Sequence, residues 1–258
     1  VNKWIAKESR QAMTENAEGP LIWTDELIGR FWDHESRYPD RYFTYQYGDQ
    51  LVREFLGRMP LPERAIDFGC GAGFLMNSLL AHGVPVAGAD FSRESVALVR
   101  DRFAGAPGFL GALHADDLAQ HEGQFDAAFV IEVIEHVTEA RLATTFELVR
   151  RLLRPGGVIA VSTPNDEDLD VETVFCPCCR HTFHRWQHLR SWSVQSLGNA
   201  LEGAGFQLKD VFTTDLALAK RRPLVRSAKA LLRYVGRLAG RPGKKPHLLA
   251  LAMRPPTP

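Results

Sequence analysis

No stretch of this chain offers the roughly 18 consecutive apolar residues that a membrane-spanning helix needs, and no signal peptide is read ahead of the first domain. Cysteine is scarce, at four in 258 residues, and three of the four crowd together as Cys176, Cys178 and Cys179. So few, so clustered, they argue against a disulfide framework and suit metal binding in a reducing compartment. A cytoplasmic protein is expected. Net charge is missing too, because 31 Lys and Arg balance 31 Asp and Glu. That balance is uneven along the chain: from Leu216 to the end there are eleven Lys or Arg and no Asp or Glu. The remainder carries 20 basic against 31 acidic residues. A basic tail on an acidic body bears on partners rather than on fold. The length suits one α/β domain with additions, and 45% hydrophobic residues are ordinary for a globular core.

What is present is organised around residues 63–73, Glu-Arg-Ala-Ile-Asp-Phe-Gly-Cys-Gly-Ala-Gly. Ala65, Ile66 and Phe68 read as a short buried strand that runs into Gly69, Gly71 and Gly73, with a helix opening at Phe74-Leu75. A strand that ends in a glycine turn and starts a helix brings bare backbone N–H groups close to a ligand. A dinucleotide site wants G-x-G-x-x-G, with the third glycine where helix packs on strand. Phe74 occupies that position here, and the glycines fall instead as G-x-G-x-G behind Asp67.

Along the chain, residues 1–60 read as helices. Thr24 is a suitable N-cap for a helix over Asp25 to His34, and a second is expected from Phe43 to Leu56, ended by Met59-Pro60-Leu61-Pro62. Phe31, Trp32, Tyr38, Tyr42, Phe43, Tyr45 and Tyr47 form an aromatic cluster across the two. It is either a seam that fixes these helices to the domain or a lid over a ligand. Val84 to Ala89 reads as a second strand ending in Asp90, where an acid can accept from ribose hydroxyls or, alternatively, cap the next helix before Ser92. A third strand, Phe109 to Leu113, leads to His114-Ala115-Asp116-Asp117, and a fourth covers Phe125 to Ile131. A helix then reaches Leu153, stopped by Arg154-Pro155-Gly156-Gly157, before a fifth strand from Val158 to Thr163. Ser193 opens another helix that closes at Gly203–Gly205, and Phe206 to Thr213 with His247 to Ala252 look like a final strand pair. Alternating strands and helices imply a parallel sheet with helices on both faces.

D-x-G-x-G-x-G at Asp67–Gly73, the acid at Asp90, F-D-x-x-x-x-x-E-V-x-E-H-V from Phe125 and L-R-P-G-G from Leu153 occur in order. Over residues 64–213 the chain resembles the class I S-adenosylmethionine (SAM) methyltransferases. The resemblance implies a Rossmann-like seven-stranded α/β sheet with an antiparallel last strand, and SAM as cofactor. It implies an N-terminal helical lid over residues 1–60 and a SAM-binding domain over 61–258, the latter interrupted by insertions at 165–191 and 215–245. The expected cofactor contacts are Asp67, Gly69, Cys70, Gly71, Gly73, Asp90, Phe91 and Ile131, with Asp116 facing the adenine amino group and Ala115 giving a backbone contact. Tyr45 and Gln46 are carried over from the lid.

Glu132, Glu135 and His136 follow the fourth strand at its carboxyl end, where open α/β sheets place ligands. If the chain turns helically there, Glu132 and Glu135 share one face. Two such carboxylates repel unless a proton or cation lies between them, and carboxylates with an imidazole suit Mg²⁺, Mn²⁺ or Zn²⁺. The plain alternative is a helix start with solvated acids. E-x-x-E-H is similar to the metal site of ubiquinone-biosynthesis O-methyltransferases and of small-RNA 3′-end 2′-O-methyltransferases. In the latter a histidine follows a T-P-N segment with an aromatic four positions on. Thr163-Pro164-Asn165, His188 and Trp192 match that arrangement, so the resemblance makes His188 a fourth ligand. His136 could instead act as a general base without metal.

Residues 176–188 contain C-x₂-C-x₄-H-x₃-H, a compact N/S ligand set for structural zinc. Since His188 is claimed above, the preferred set is Cys176, Cys179, His181 and His184, with Cys178 spare; free thiols or a redox pair are the alternatives. Residues 224–239 plot as a helix with Leu224, Ala228, Leu231, Leu232, Val235 and Leu238 on one side and Arg226, Lys229, Arg233 and Arg237 on the other. This segment, within 220–245, is either a docked helix with a solvated face or a surface for anionic membrane or a phosphate-bearing substrate. The reading that results is a SAM-dependent O-methyltransferase acting on a hydroxyl of a small molecule or glycan, aided by a divalent cation. An RNA 3′-end enzyme is disfavoured by the acidic body, and a non-catalytic zinc-containing binding protein by the intact glycine turn and Asp90.

Overall fold

The computed structural model describes residues 19–219 and 245–256. Seven strands form one sheet: β1 (Ala65–Phe68), β2 (Val86–Asp90), β3 (Phe109–His114), β4 (Phe125–Ile131), β5 (Leu153–Pro164), β6 (Gln207–Thr214) and β7 (His247–Met253). Their order is β3-β2-β1-β4-β5-β7-β6. The first five run parallel, whereas β7 is antiparallel to both β5 and β6. The order reverses between β1 and β4, and the crevice at the carboxyl ends of those two strands is the ligand position of such sheets. All four β1 residues and nearly all of β4 are buried, as continuous apolar strands covered on both faces should be.

Helices α1 (Asp25–Glu35), α2 (Phe43–Leu56), α3 (Phe74–Ala81), α4 (Arg93–Arg102), α5 (Glu139–Leu152) and α6 (Val194–Gly203) surround the sheet. Thr24 caps α1 by accepting from the Leu27 amide, and Ser193 caps α6 in a capping box with Ser196. Leu51, Val52 and Phe55 of α2 are wholly buried, and the Phe55 ring meets Phe129 of β4 edge-on at 6.0 Å. That packing anchors α2 to one face and suspends α1, which buries no residue completely, above the crevice.

Two elements depart from expectation. The chain does not turn helically at the acidic motif: Glu132 takes φ +52°, and α5 begins only at Glu139. Residues 165–191 hold a β-hairpin, Thr173–Phe175 against His181–His184, whose second strand also pairs in parallel with Gly19–Pro20. An Asn165–Trp192 bridge closes the base of this insertion. The basic helix expected over 224–239 lies outside the described residues. No helix among those described is long and apolar enough to cross a membrane.

Candidate active site

The glycine turn lies at the mouth of the crevice. Gly69 and Gly71 both take left-handed φ, +79° and +49°. A Cβ on Gly69 would sit 2.6 Å from Val133 Cγ2, and one on Gly71 would sit 3.3 Å from the Tyr42 ring. Glycine is therefore required by backbone conformation and by close neighbours alike. Asp90 ties the turn to β2, its Oδ2 accepting from the Gly71 amide at 2.9 Å and its Oδ1 from the Ser92 amide at 2.8 Å. Burial pushes the Asp90 carboxyl up, and those amides partly offset the rise. Asp67 is buried with Oδ2 unpaired. Burial, with the Asp90 charge second, pushes its carboxyl up to about 8. Such a buried carboxyl is stabilised in its ionised form only by a cationic or donor group.

A cavity of about 870 Å³ opens over this turn, lined by Asp67, Gly69, Cys70, Gly71, Asp90, Phe91 and Ile131 together with Glu132, His136 and His188. Those expected contacts thus share one space. Five others lie apart. Gly73 N-caps α3, where an added Cβ would sit 2.7 Å from the Phe103 ring. Asp116 is exposed and paired with Arg93 at 2.9 Å, and Ala115 packs into the core beside it. Tyr45 packs on Phe74, while the Gln46 amide donates to the Asp40 carbonyl. The aromatic residue over the glycines is Tyr42, whose hydroxyl is pushed up to about 12 by burial and by nearby carboxylates, Asp90 first. Tyr42 is the extended residue ahead of α2, whereas Tyr45 lies inside the helix with its side chain exposed.

Across the cavity from Asp90 the acidic motif and the insertion are stitched together. The Leu189 amide donates to the Glu135 carbonyl, and Arg190 Nη1 donates to the Ile134 carbonyl. Gln187, wholly buried at φ +61°, donates to the His136 carbonyl at 2.8 Å and accepts from Trp32 Nε1 of α1 at 2.9 Å. These bonds bring ligand atoms of Glu135, His136 and His188 within 4.8 Å of one another. Glu135 is 1% exposed, and neither of its oxygens makes a well-formed hydrogen bond, although the Thr163 hydroxyl and its own amide lie close enough to hold its pKa down slightly. Burial and the Glu132 charge push its carboxyl well above the usual range. Burial, and then the charge of His188, hold the His136 imidazole well below its ordinary value, so it is neutral at pH 7. Glu132 stands aside from that triad, accepting from the Ser162 hydroxyl at 2.7 Å. Burial pushes it up to about 7.

The zinc set expected from spacing does not assemble. His181 and His184 are three apart on one strand, and side chains of a strand alternate between faces. Cys176 and His181 adjoin at the hairpin end, whereas His184 turns inward and stacks on His188 with centroids 4.4 Å apart. Among the described residues, no group that could hold an ion combines Cys176 or Cys179 with His181 or His184. A second group appears instead, Glu167 with His184 and His188. Glu167 went unread because it stands in an acidic run, Asp166-Glu167-Asp168, that looks like any solvated loop.

A family model described as a methyltransferase domain matches residues 39–211, more than half of the chain. A ubiquinone biosynthesis O-methyltransferase of Aromatoleum aromaticum is 31% identical over 145 residues, covering 54% of this chain and 59% of that protein. One from Sinorhizobium medicae is 32% identical over 127 residues, 48% of this chain and 50% of the relative. The chain thus spans about half the length of the curated relatives it matches. Among solved structures, the [4+2]-cyclase SpnF superposes with TM-score 0.62 at 17% identity, over 93% of this chain and 100% of that one. The 1,6-didemethyltoxoflavin-N1-methyltransferase of Burkholderia thailandensis does so at 0.56 and 17%, over 93% of each. At such identities these two speak for the fold alone. With the family match over residues 39–211 and the seven-stranded order ending in a reversed strand, the chain belongs to the class I SAM-dependent methyltransferase domains.

Proposed function

We propose that this protein transfers the methyl group of SAM to a hydroxyl of a small molecule, with a divalent cation held by Glu135, His136 and His188. The observation that carries the cation is Glu135, a buried carboxyl whose oxygens make no well-formed hydrogen bond and lie within reach of two imidazoles. Such a group is costly unless something positive joins it, and a carboxylate with two imidazoles is a donor set for Mn²⁺ or Zn²⁺ more than for Mg²⁺. A cation held there would supply positive charge that lowers the pKa of an acceptor hydroxyl.

The chain's own residues do the remainder. The N–H groups of the glycine turn and Asp90 hold the adenosyl moiety, and Asp67 meets the α-ammonium of the methionyl part. Phe91, half-exposed at the cavity wall, stands against the adenine. Trp32 and Trp186 line the side of His136 and His188 and keep water from the reacting atoms. Positioning of acceptor and methyl group, together with fixed charge in a dry site, supplies most of the acceleration. The names of the curated relatives support a hydroxyl acceptor on a small molecule. The rival reading, His136 as a metal-free base, has less support, since the burial that keeps His136 neutral also makes the imidazolium expensive.

Comparison of two variants with a catechol or vicinal-diol acceptor tests the reading. Glu135→Gln is expected to lose orders of magnitude in turnover while S-adenosylhomocysteine affinity is retained. A mild Glu135→Gln beside a His136→Ala loss of about 10²–10⁴-fold would favour the metal-free base.

A further inference from the structure

His188 belongs to both groups of ion-competent side chains, and the surroundings of its ring decide how it can be used. Its Nδ1 lies 2.5 Å from Glu167 Oε2. With Glu167 Oε2 as the acceptor of this bond, Nδ1 carries the proton. The second oxygen of Glu167 lies 3.6 Å from Nε2 of His184. His184 Nδ1 accepts the backbone N–H of His188 at 3.2 Å, which leaves the His184 proton on Nε2, directed at that same carboxylate. The His184 side chain is only 3% exposed, and its Nε2 has no closer partner. The two imidazoles stack nearly parallel, 21° between planes. Their lone pairs therefore cannot converge on one ion lying in both ring planes, which argues against Glu167, His184 and His188 as a cation site of their own.

We infer that Glu167 is a positioning residue: with His184 behind it, it fixes His188 as the Nδ1–H tautomer and leaves the Nε2 lone pair as the one available to the cavity. The use of that lone pair toward a cation rests on the function proposed above; the tautomer does not. A carboxylate behind a ligating histidine fixes its ring and raises its basicity, and loss of such an outer partner typically costs about 10- to 100-fold in metal affinity. Glu167 comes from the start of the insertion and His188 from its end, so closing the Asn165–Trp192 base is what brings the two together.

The test reads the tautomer first and the cation second. In ¹⁵N-labelled full-length protein free of metal, with His188 assigned by its loss in His188→Gln, long-range ¹H–¹⁵N spectra should show a protonated Nδ1 and a bare Nε2. Glu167→Ala should abolish that preference, and Glu167→Gln should weaken it. A protonated Nε2 in the wild type, or the same tautomer in Glu167→Ala, would overturn the inference. Both variants should keep wild-type S-adenosylhomocysteine affinity, which shows that they fold. Mn²⁺, chosen because it avoids thiols, should then bind Glu167→Ala roughly 10- to 100-fold more weakly by electron paramagnetic resonance titration. Equal Mn²⁺ affinity in wild type and variant would overturn the positioning role toward a cation. No Mn²⁺ binding to wild type would instead reject the preceding proposal, while the spectra still decide this one.

Discussion

Asp67 gives the ligand site a pH signature that can be worked out before any acceptor is known. In the free protein its carboxyl is raised from an ordinary 3.8 to about 8, by burial first and by Asp90 second. The folded value exceeds the unfolded one, so the native state holds the proton that the unfolded chain has already released. Stability of the free protein therefore falls as pH rises from about 4 to about 8 through this group, and Asp67→Asn should flatten that decline. A ligand ammonium against Asp67 reverses the preference and requires the ionised form. S-adenosylhomocysteine binding near neutrality should release close to one proton, and its affinity should rise with pH. With a free-state value of about 8, or one unit lower, the ionised fraction between pH 5.5 and 7.5 grows on the order of 25- to 75-fold, roughly 2 to 2.5 kcal/mol. Titration calorimetry in buffers of different ionisation enthalpy counts the proton directly. Asp90 and Glu132 line the same cavity and are raised as well, so Asp67→Asn is the necessary control, expected to bind more weakly and with little pH dependence. Unchanged affinity across the range in the wild type, or an identical slope in Asp67→Asn, would refute the reasoning.

Other outcomes follow from the same geometry. Asp90→Ala should weaken S-adenosylhomocysteine by a few kcal/mol, at about 1.5–3 kcal/mol for each charged hydrogen bond lost, and calorimetry reads it. Since Asp90 also holds the Gly71 and Ser92 amides, proteolysis around residues 69–73 should speed up in that variant. Gly69→Ala places a methyl against Val133 in a left-handed conformation. It should cost about 1–2 kcal/mol for the backbone and roughly 1–3 for the overpacking, measured by urea unfolding. Gln187→Leu should strand the Trp32 indole N–H and the His136 carbonyl, at about 1–3 kcal/mol each. Its fluorescence should show Trp32 in a changed environment.

The sheet was legible because its signals are local. Apolar runs, glycine turns and caps such as Thr24 and Ser193 mark element ends within a few residues, and α2 begins and ends where the sequence suggested. The glycine-turn side of the cavity was legible for the same reason: Asp67, Gly69, Gly71 and Asp90 lie at strand ends, and strand ends fix where side chains go. What failed depended on local geometry without such markers. A left-handed Glu132 removed the helical face assumed for the two glutamates. Strand alternation separated His184 from His181 and Cys176, where ligand spacing alone suggested a cluster. Tyr42, the extended residue ahead of α2, lines the cavity where Tyr45 inside the helix does not. Glu167 and Gln187 carry no sequence signal, since their roles arise only when the insertion folds back on the acidic motif.

The central claim is that a cation on Glu135, His136 and His188 takes part in methyl transfer, and one measurement bears on it most directly. Transfer from SAM to a catechol or vicinal diol is followed in excess chelator, with removal of the metal verified by elemental analysis and S-adenosylhomocysteine affinity measured on the same sample. The account predicts that transfer stops, that affinity for S-adenosylhomocysteine is unchanged, and that adding back Mn²⁺, Zn²⁺ or Mg²⁺ restores activity with one ion preferred. Undiminished transfer by the metal-free protein would contradict it.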